Sequence, residues 1–294
     1  MASVEPLATY LELRQSDESG EAVAGLSHKS GGLFLLHVLE LAAWGEPRGG
    51  VTIVNDAGDH GARYLEVARA LAEARWAVAL PDLRCHGKSE GELGDSAGLA
   101  EVLRDLDAVQ DHLAYRLPVA PKVLLGVGLG ALYSLRYALE RPGSVAALVL
   151  VAPRWRPVFE LPRAGGGLMK LFKKVAPNAP GRIGNTPERL VGDAEAAQRV
   201  RKDGLVHDTI TLRAGEQAAR IAADSESRLG SLAVPTLLLH GADDPIADPS
   251  ISSRAAGAAV RVHIVPDARH DLLHERSSAQ SSAAIIEFLA GAVA

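Results

Sequence analysis

Along this chain, short apolar runs alternate with stretches whose apolar residues recur at helical spacing, from about residue 51 to 152 and again from 234 onwards. Val51-Thr52-Ile53-Val54, Trp76 to Leu80, Val123-Leu124-Leu125, Val145 to Val151, Val234 to Leu239 and Val260 to Val265 read as buried strands. Between the first of them, Ala62 to Ala74 carries Leu65, Val67, Ala70 and Leu71, and Leu99 to Leu117 carries Leu103, Leu106, Val109 and Leu113, each set on one side of a helix. A helix over 250–258 and a closing helix from about Ser277 complete the series. Such alternation predicts an α/β fold, a mostly parallel sheet flanked by helices, with ligands beyond the carboxyl ends of the strands. Leu33 to Leu41 reads as an early hairpin strand, and residues 1–24, polar and without a clear period, as an N-terminal tail.

The alternation pauses over residues 154–233, read as a helical cap inserted into a core made of 25–153 and 234–294. Within 154–208 there are eleven Lys and Arg against six Asp and Glu, locally +5 in a chain whose formal net charge is -5. Leu168, Leu171, Phe172 and Val175 share one face of a turn that also carries Lys170, Lys173 and Lys174. A basic amphipathic helix of this kind suits an anionic lipid surface or a lid over a pocket for an apolar chain; the preferred reading is a cap helix with a solvated charged face.

The stretch Lys122 to Ala138, KVLLGVGLGALYSLRYA, reads as strand, tight turn and helix, with Gly126, Gly128 and Gly130 at the turn. That is the spacing of a nucleophile elbow, G-x-S-x-G, in which a sharp turn lifts one side chain above the end of a sheet. Here the central position is Gly128, which has no side chain.

Composition narrows the field. At 294 residues and 47% hydrophobic, the chain can bury one full core, and its net charge gives no general pull towards nucleic acid. Cys85 is the single cysteine, so no internal disulfide forms; no metal-ligand spacing or phosphate loop is present, and neither a metal nor another cofactor is expected. The N-terminus lacks the pattern of a secretory signal, and the apolar run Leu33 to Trp44, which carries His37 and Glu40, is too short to span a bilayer. A cytoplasmic location is the expectation.

Five stretches in this order, NDAGDHGARY (Asn55 to Tyr64), PDLRCHGKSEG (Pro81 to Gly91), the elbow, PTLLLHGADDPIAD (Pro235 to Asp248) and DARHDLLHE (Asp267 to Glu275), resemble the α/β-hydrolase superfamily. The similarity is to its monoacylglycerol lipase, lysophospholipase and serine aminopeptidase-like branch, over roughly residues 25–292. The resemblance implies a triad acid at Asp244, a base at His270 and a nucleophile position at Gly128. It further implies two oxyanion donors, the backbone N–H groups of Ala57 and Leu129. Where the family has His-Gly before the first donor, this chain has Asn55-Asp56. A carboxylate at Asp56 would oppose a developing oxyanion unless it is turned away or neutralised. Ser134 lies too far along the helix to substitute for a nucleophile, and Ser89, His60 and His86 match positions with structural roles. Cys85 stands where the family usually has glycine.

Three readings follow. The first is a pseudoenzyme that holds a small apolar or acyl ligand, or a partner, in the former active-site cleft. The second is an enzyme in which the Asp244–His270 dyad acts alone as a general base on water or substrate. The third is a carboxylic ester hydrolase whose serine has been replaced. Oligomeric state is left open by the sequence.

Overall fold

Side-chain alternation along the central strand sets the layers. β5 (Lys122–Val127) turns Val123, Leu125 and Val127 into one apolar core and Leu124 into another, so the strand is buried on both faces. The computed structural model describes residues 5–14, 33–162, 171 and 174–293. In chain order its other strands are β1 (Leu7–Arg14), β2 (Leu33–Leu41), β3 (Gly49–Val54), β4 (Trp76–Pro81), β6 (Ala147–Val151), β7 (Pro180–Arg182), β8 (Thr209–Thr211), β9 (Thr236–Gly241) and β10 (Val260–Val265). Seven of them join β5 in one eight-stranded sheet of order β1-β2-β4-β3-β5-β6-β9-β10, antiparallel at β1–β2 and β2–β4 and parallel elsewhere. β5, which leads into the elbow, thus lies between β3 and β6 near the middle of the sheet.

Helices α1 (Leu65–Glu73), α2 (Leu99–Arg116), α3 (Leu129–Glu140) and α8 (Ser278–Ala292) cover the sheet, near the expected places. α7 (Pro249–Ser253) is shorter than the expected 250–258, because the chain turns back through Gly257 into β10. The tail expected over residues 1–24 needs correcting as well: it contains β1, paired along its length with β2. Only Leu11 and Leu13 pack against the apolar cluster beneath. An edge strand that exposes most of its side chains leaves little periodic signal in sequence.

Between β6 and β9 the chain forms a two-stranded sheet, β7 with β8, and helices α4 (Pro187–Leu190), α5 (Ala194–Lys202) and α6 (Leu212–Arg228). Several bonds fasten this segment to the loops that follow the sheet strands. The His207 N–H donates to the Gly58 carbonyl at 2.9 Å, and the Thr211 N–H to that of Gly94 at 3.0 Å. Most of the basic amphipathic helix expected over 167–175 lies outside the described residues; Leu171 and Val175 are exposed. Among the described basic residues of this segment, Arg182 pairs with Asp208, Arg199 with Glu195 and Arg201 with Glu188, while Arg154 and Arg156 reach acids outside it, Asp56 and Glu226.

Candidate functional site

The elbow is present in geometry. β5 ends at Val127, Gly128 takes φ +56° and ψ -113°, and α3 begins at Leu129. Strand and helix approach so closely that a Cβ on Gly126 would overlap the Gly130 carbonyl. The Gly128 N–H donates to Val151 of β6 at 2.9 Å, and the Gly128 carbonyl accepts from the Arg154 N–H at 3.3 Å. Ala152, at φ +44°, turns the chain leaving β6 over the elbow and so brings Arg154 above it.

Asp56, two residues past the end of β3, reaches the same place from the other side. Asn55 braces its loop: the Asn55 amide donates to the carbonyls of Asp56 and Asp59 at 2.8 and 2.9 Å and accepts from the Leu83 N–H at 2.9 Å. The Asp56 carboxylate lies in the space a nucleophile side chain would occupy. A Cβ built on Gly128 would overlap it, with Oδ2 at 2.5 Å and Oδ1 and Cγ nearer still.

Asp56 Oδ1 accepts from the Leu129 N–H at 2.7 Å and from Arg154 Nε at 2.8 Å; Oδ2 accepts from Arg154 Nη2 at 2.6 Å and faces His270 Nε2 at 3.1 Å. One of the two backbone groups expected to hold an oxyanion is therefore already bonded to a carboxylate of the chain itself. Asn185 buttresses the arrangement, accepting from Arg154 Nη2 at 2.7 Å and donating to the Ala57 carbonyl at 2.9 Å.

On its far side His270 Nδ1 meets Asp244 Oδ2 at 2.7 Å. Asp244 is held in turn by the N–H groups of Ile246 and Ala247, at 2.7 and 3.0 Å, and by His240 Nε2 at 3.1 Å. His240 Nε2 faces two acceptors, Asp244 Oδ2 and the Ala247 carbonyl at 3.0 Å, so it carries the ring proton and sets the sense of the buried chain behind it. Trp155 donates to Ser252 Oγ at 2.8 Å, and the Ser252 hydroxyl donates to His240 Nδ1 at 2.7 Å. His240 is left with its Nε2 proton facing Asp244.

Burial favours the neutral form of both acids, but charge outweighs it. Arg154 and His270 hold the Asp56 carboxyl well below the usual range, and His270 and His240 do the same for Asp244. Burial likewise opposes a charged His270, yet Asp244, helped by the bond to Asp56 and resisted by Arg154, pushes it up to about 9. With an ionised carboxylate on each ring nitrogen, both nitrogens must donate. His270 is an imidazolium at neutral pH, with no lone pair to accept a proton.

The sign of the resulting pH dependence follows by linkage. A histidine whose folded pKa is about 9 against an ordinary 6.5 adds stability that is complete below 6.5 and lost as pH rises through 9. The slope is up to about 1.4 kcal/mol per pH unit and the total on the order of 3 kcal/mol. Denaturant titrations between pH 6.5 and 9 are expected to show this fall in the wild type and a flatter profile in His270→Gln. Equal slopes in the two proteins would contradict the assignment.

Beside the centre, a cavity with room for about 20 Å³ is lined by Ala57, Leu83, Leu129, Tyr133, Ile183 and Ile210 among others, mostly apolar. That is the space of about one water, so an acyl chain enters only if the β7–β8 segment shifts.

Of the residues singled out in the sequence, Gly128, Leu129, Asn55, Asp56, Ala57, Asp244 and His270 converge here. Ser134, Ser89, Cys85, His60 and His86 bond elsewhere or lie apart from these groups. Ser134 donates to the Gly130 carbonyl within α3, and Ser89 to that of Asp82. Cys85 is buried, and burial pushes its thiol up to about 12, far from a reactive thiolate. His60 faces Asp203, and His86 Nδ1 the Arg84 carbonyl. Among the described residues there is no cluster of three His, Cys, Asp or Glu fit to hold a metal ion, and no helix long and apolar enough to cross a membrane.

Sequence reasoning missed Arg154 and Asn185. In sequence Arg154 is one of eleven basic residues of the insertion; in the structure it is only 2% exposed and points into the centre. The available signal was an acid two residues past β3 and a base three past β6, one on each side of the elbow strand.

The family described as serine aminopeptidase S33 matches residues 45–277. The monoacylglycerol lipase of Mycolicibacterium smegmatis is 27% identical over 237 residues, 78% of this chain and 84% of that protein. Human monoglyceride lipase is 28% identical over 214 residues, covering 69% of this chain and 68% of its own length. Among solved structures, the Paleococcus ferrophilus monoacylglycerol lipase superposes with a TM-score of 0.76 at 25% identity, over 87% of this chain and 99% of that one. A soluble variant of the Saccharomyces cerevisiae monoglyceride lipase, at 16% identity, reaches a TM-score of 0.77 over 89% of this chain and 93% of its own, a likeness of fold. With its eight-stranded, mostly parallel sheet and its strand–elbow–helix at the centre, the chain belongs to the serine aminopeptidase S33 family of the α/β-hydrolase fold.

Proposed function

We propose that this protein is a non-hydrolytic member of its family, a pseudoenzyme whose cleft holds a small apolar or acyl ligand instead of cleaving an ester. The observation that carries the reading is the Asp56 carboxylate lying where a side chain at position 128 would project. Gly128 supplies no attacking atom. Asp56 is a poor replacement, because four donors from Leu129, Arg154 and His270 hold its oxygens and keep it ionised.

The rest of the centre is built around a residue without a Cβ, which favours a native glycine over a serine lost at one position. A dyad acting as general base would need a free lone pair on His270 Nε2, and that nitrogen faces Asp56. The apolar walls beside Ala57 and Leu129 suit a small acyl or hydrocarbon group once the segment above has moved.

Hydrolysis of p-nitrophenyl acetate and of a monoacylglycerol by the wild type is expected to remain at the level of His270→Ala. Wild-type turnover that vanishes with that substitution would overturn the reading.

A further inference from the structure

We propose that the roof of the cleft, residues 204–211, is an acid-released lid, held shut by two neutral histidines that meet across its seam, His86 on the loop after β4 and His207 on the roof itself. This rests on the cleft of the proposed function as the space that opens, and names what regulates access to it.

The roof lies close because the loops beneath it carry glycines at the points of contact. A Cβ on Gly58 would overlap the His207 carbonyl, and one on Gly94 the Thr209 carbonyl. The His207 N–H thereby reaches the Gly58 carbonyl, and the Thr211 N–H that of Gly94. Thr209 and Ile210 wall the small cavity that Ala57, Leu83 and Leu129 line as well. Lifting this segment opens the cavity.

At the seam the rings of His86 and His207 lie 5.2 Å apart between centres, inclined by 39°. A backbone group fixes the proton of each. His86 Nδ1 donates to the Arg84 carbonyl at 2.9 Å, which leaves the lone pair on Nε2. His207 Nδ1 accepts from the Thr209 N–H at 3.3 Å, so its proton is on Nε2, buried without a partner among the described residues. A second proton on His207 would point at the Thr209 N–H and break that bond. On His86 it would place a charge 5.2 Å from the centre of the His207 ring. His270 is the opposite case, with a carboxylate on each nitrogen to hold its charge.

The charged groups packed around the pair are already matched. On the loops beneath, Asp56 is bound as above, Asp59 takes Arg63 and Tyr64, and Asp82 takes His37 and the N–H groups of Gly61 and Lys88. Arg84 turns to Asp105, and Asp95 takes Arg213 and Thr211. On the roof, Asp208 takes Arg182 and the N–H groups of Gly184 and Asn185. Burial, and after it His86, bring His207 down to about 4 despite Asp208. Burial also lowers His86, against the Arg84 carbonyl and the charges of Asp56, Asp59 and Asp82.

Just before the roof, Asp203 faces His60 Nε2 at 2.9 Å. Burial opposes its charge, but the Leu205 N–H and His60 keep its carboxyl below the usual range. This fastening therefore outlasts the histidine pair on acidification. It places the hinge at Gly204, which has open space on its Cβ side.

A lifted His207 returns to an ordinary value near 6.5, so protons favour the lifted state. Closure is complete above 6.5 and weakens as pH falls towards 4, by about tenfold per unit and roughly thirtyfold between pH 7.5 and 5. Amide hydrogen exchange of the full chain, corrected for its intrinsic pH dependence, reads this directly. Protection of the His207 and Thr211 amides is expected to fall about thirtyfold from pH 7.5 to 5, while the β5 amides keep theirs. In His207→Gln, which takes up no proton, the fall at Thr211 is expected to shrink to less than about threefold. Should that variant leave the roof lifted at every pH, the wild type decides through the ring resonances of His207, whose titration must run together with the loss of protection. Unchanged protection at both amides, a loss that spreads in step to β5, or one that His207→Gln retains in full would overturn the proposal. The ester assay keeps the two claims apart. His270-dependent turnover removes the non-hydrolytic reading and leaves the lid, whereas a roof indifferent to pH removes only the lid.

Discussion

Gly128→Ser alone is expected to leave ester hydrolysis at background and to lower stability, whereas Gly128→Ser/Asp56→Gly is expected to hydrolyse p-nitrophenyl butyrate at least about a hundredfold faster than either single variant. Loss of a serine nucleophile costs on the order of 10⁶ in kcat where it has been measured, so partial recovery of this size is well within range. The single change fails for a steric reason: a side chain at position 128 meets the Asp56 carboxylate, held on four sides in a closely packed interior.

Removing Asp56 does three things together. It opens the space above the elbow, frees the Leu129 N–H to stabilise an oxyanion, and takes from His270 Nε2 the anion that keeps it protonated. Arg154, which disfavours charge on His270, stays, so the imidazole pKa falls towards the range of a base while Asp244 still orients the ring. The φ of +56° at Gly128 strains a serine there, as the elbow does wherever it occurs, and contributes to the stability loss of both variants. A single variant that matches the double, or a double whose rate survives His270→Ala, would show that the carboxylate is not what silences the centre.

The scaffold was legible because its signals are local. β5, the three glycines of the elbow and the amphipathic α2 all follow from periodicity and spacing within some twenty residues. Asp244 and His270 are implied by the family resemblance of the stretches that carry them, and the structure brings Asp244 Oδ2 and His270 Nδ1 to 2.7 Å. The edge strand β1 escaped notice because it buries too little to show a period. The closed state of the centre was hidden for another reason. Asp56 and Arg154 are 98 positions apart and meet only because β3 and β6 flank β5, a strand order that residue patterns do not declare. The requirement itself was visible: a buried carboxylate at an oxyanion site has to be neutralised. The sequence left open which cation does so, and an arginine inside a basic insertion looked like one surface charge among eleven.

Arg154→Met is expected to destabilise the protein by about 3–5 kcal/mol, the usual consequence of leaving one partner of a buried ion pair behind. The Asp56 carboxylate would keep the Leu129 N–H and His270 but lose three of its contacts, and Asn185 would lose its donor from Nη2. Asp56→Ala is expected to be costly as well, because it strands a guanidinium that is 2% exposed. Replacing both removes the unpaired charge altogether, so Asp56→Ala/Arg154→Met should be more stable than the sum of the single losses by about 2–3 kcal/mol, read as a coupling free energy from urea titrations of all four proteins. This outcome separates two kinds of charged centre. Where charges are kept under strain for chemistry, their removal tends to raise stability. Where they neutralise one another in the interior, removing either lowers it. Additive single losses, or an Arg154→Met protein as stable as the wild type, would mean that Asp56 is balanced by something other than Arg154 and that the centre is less firmly closed than its geometry indicates.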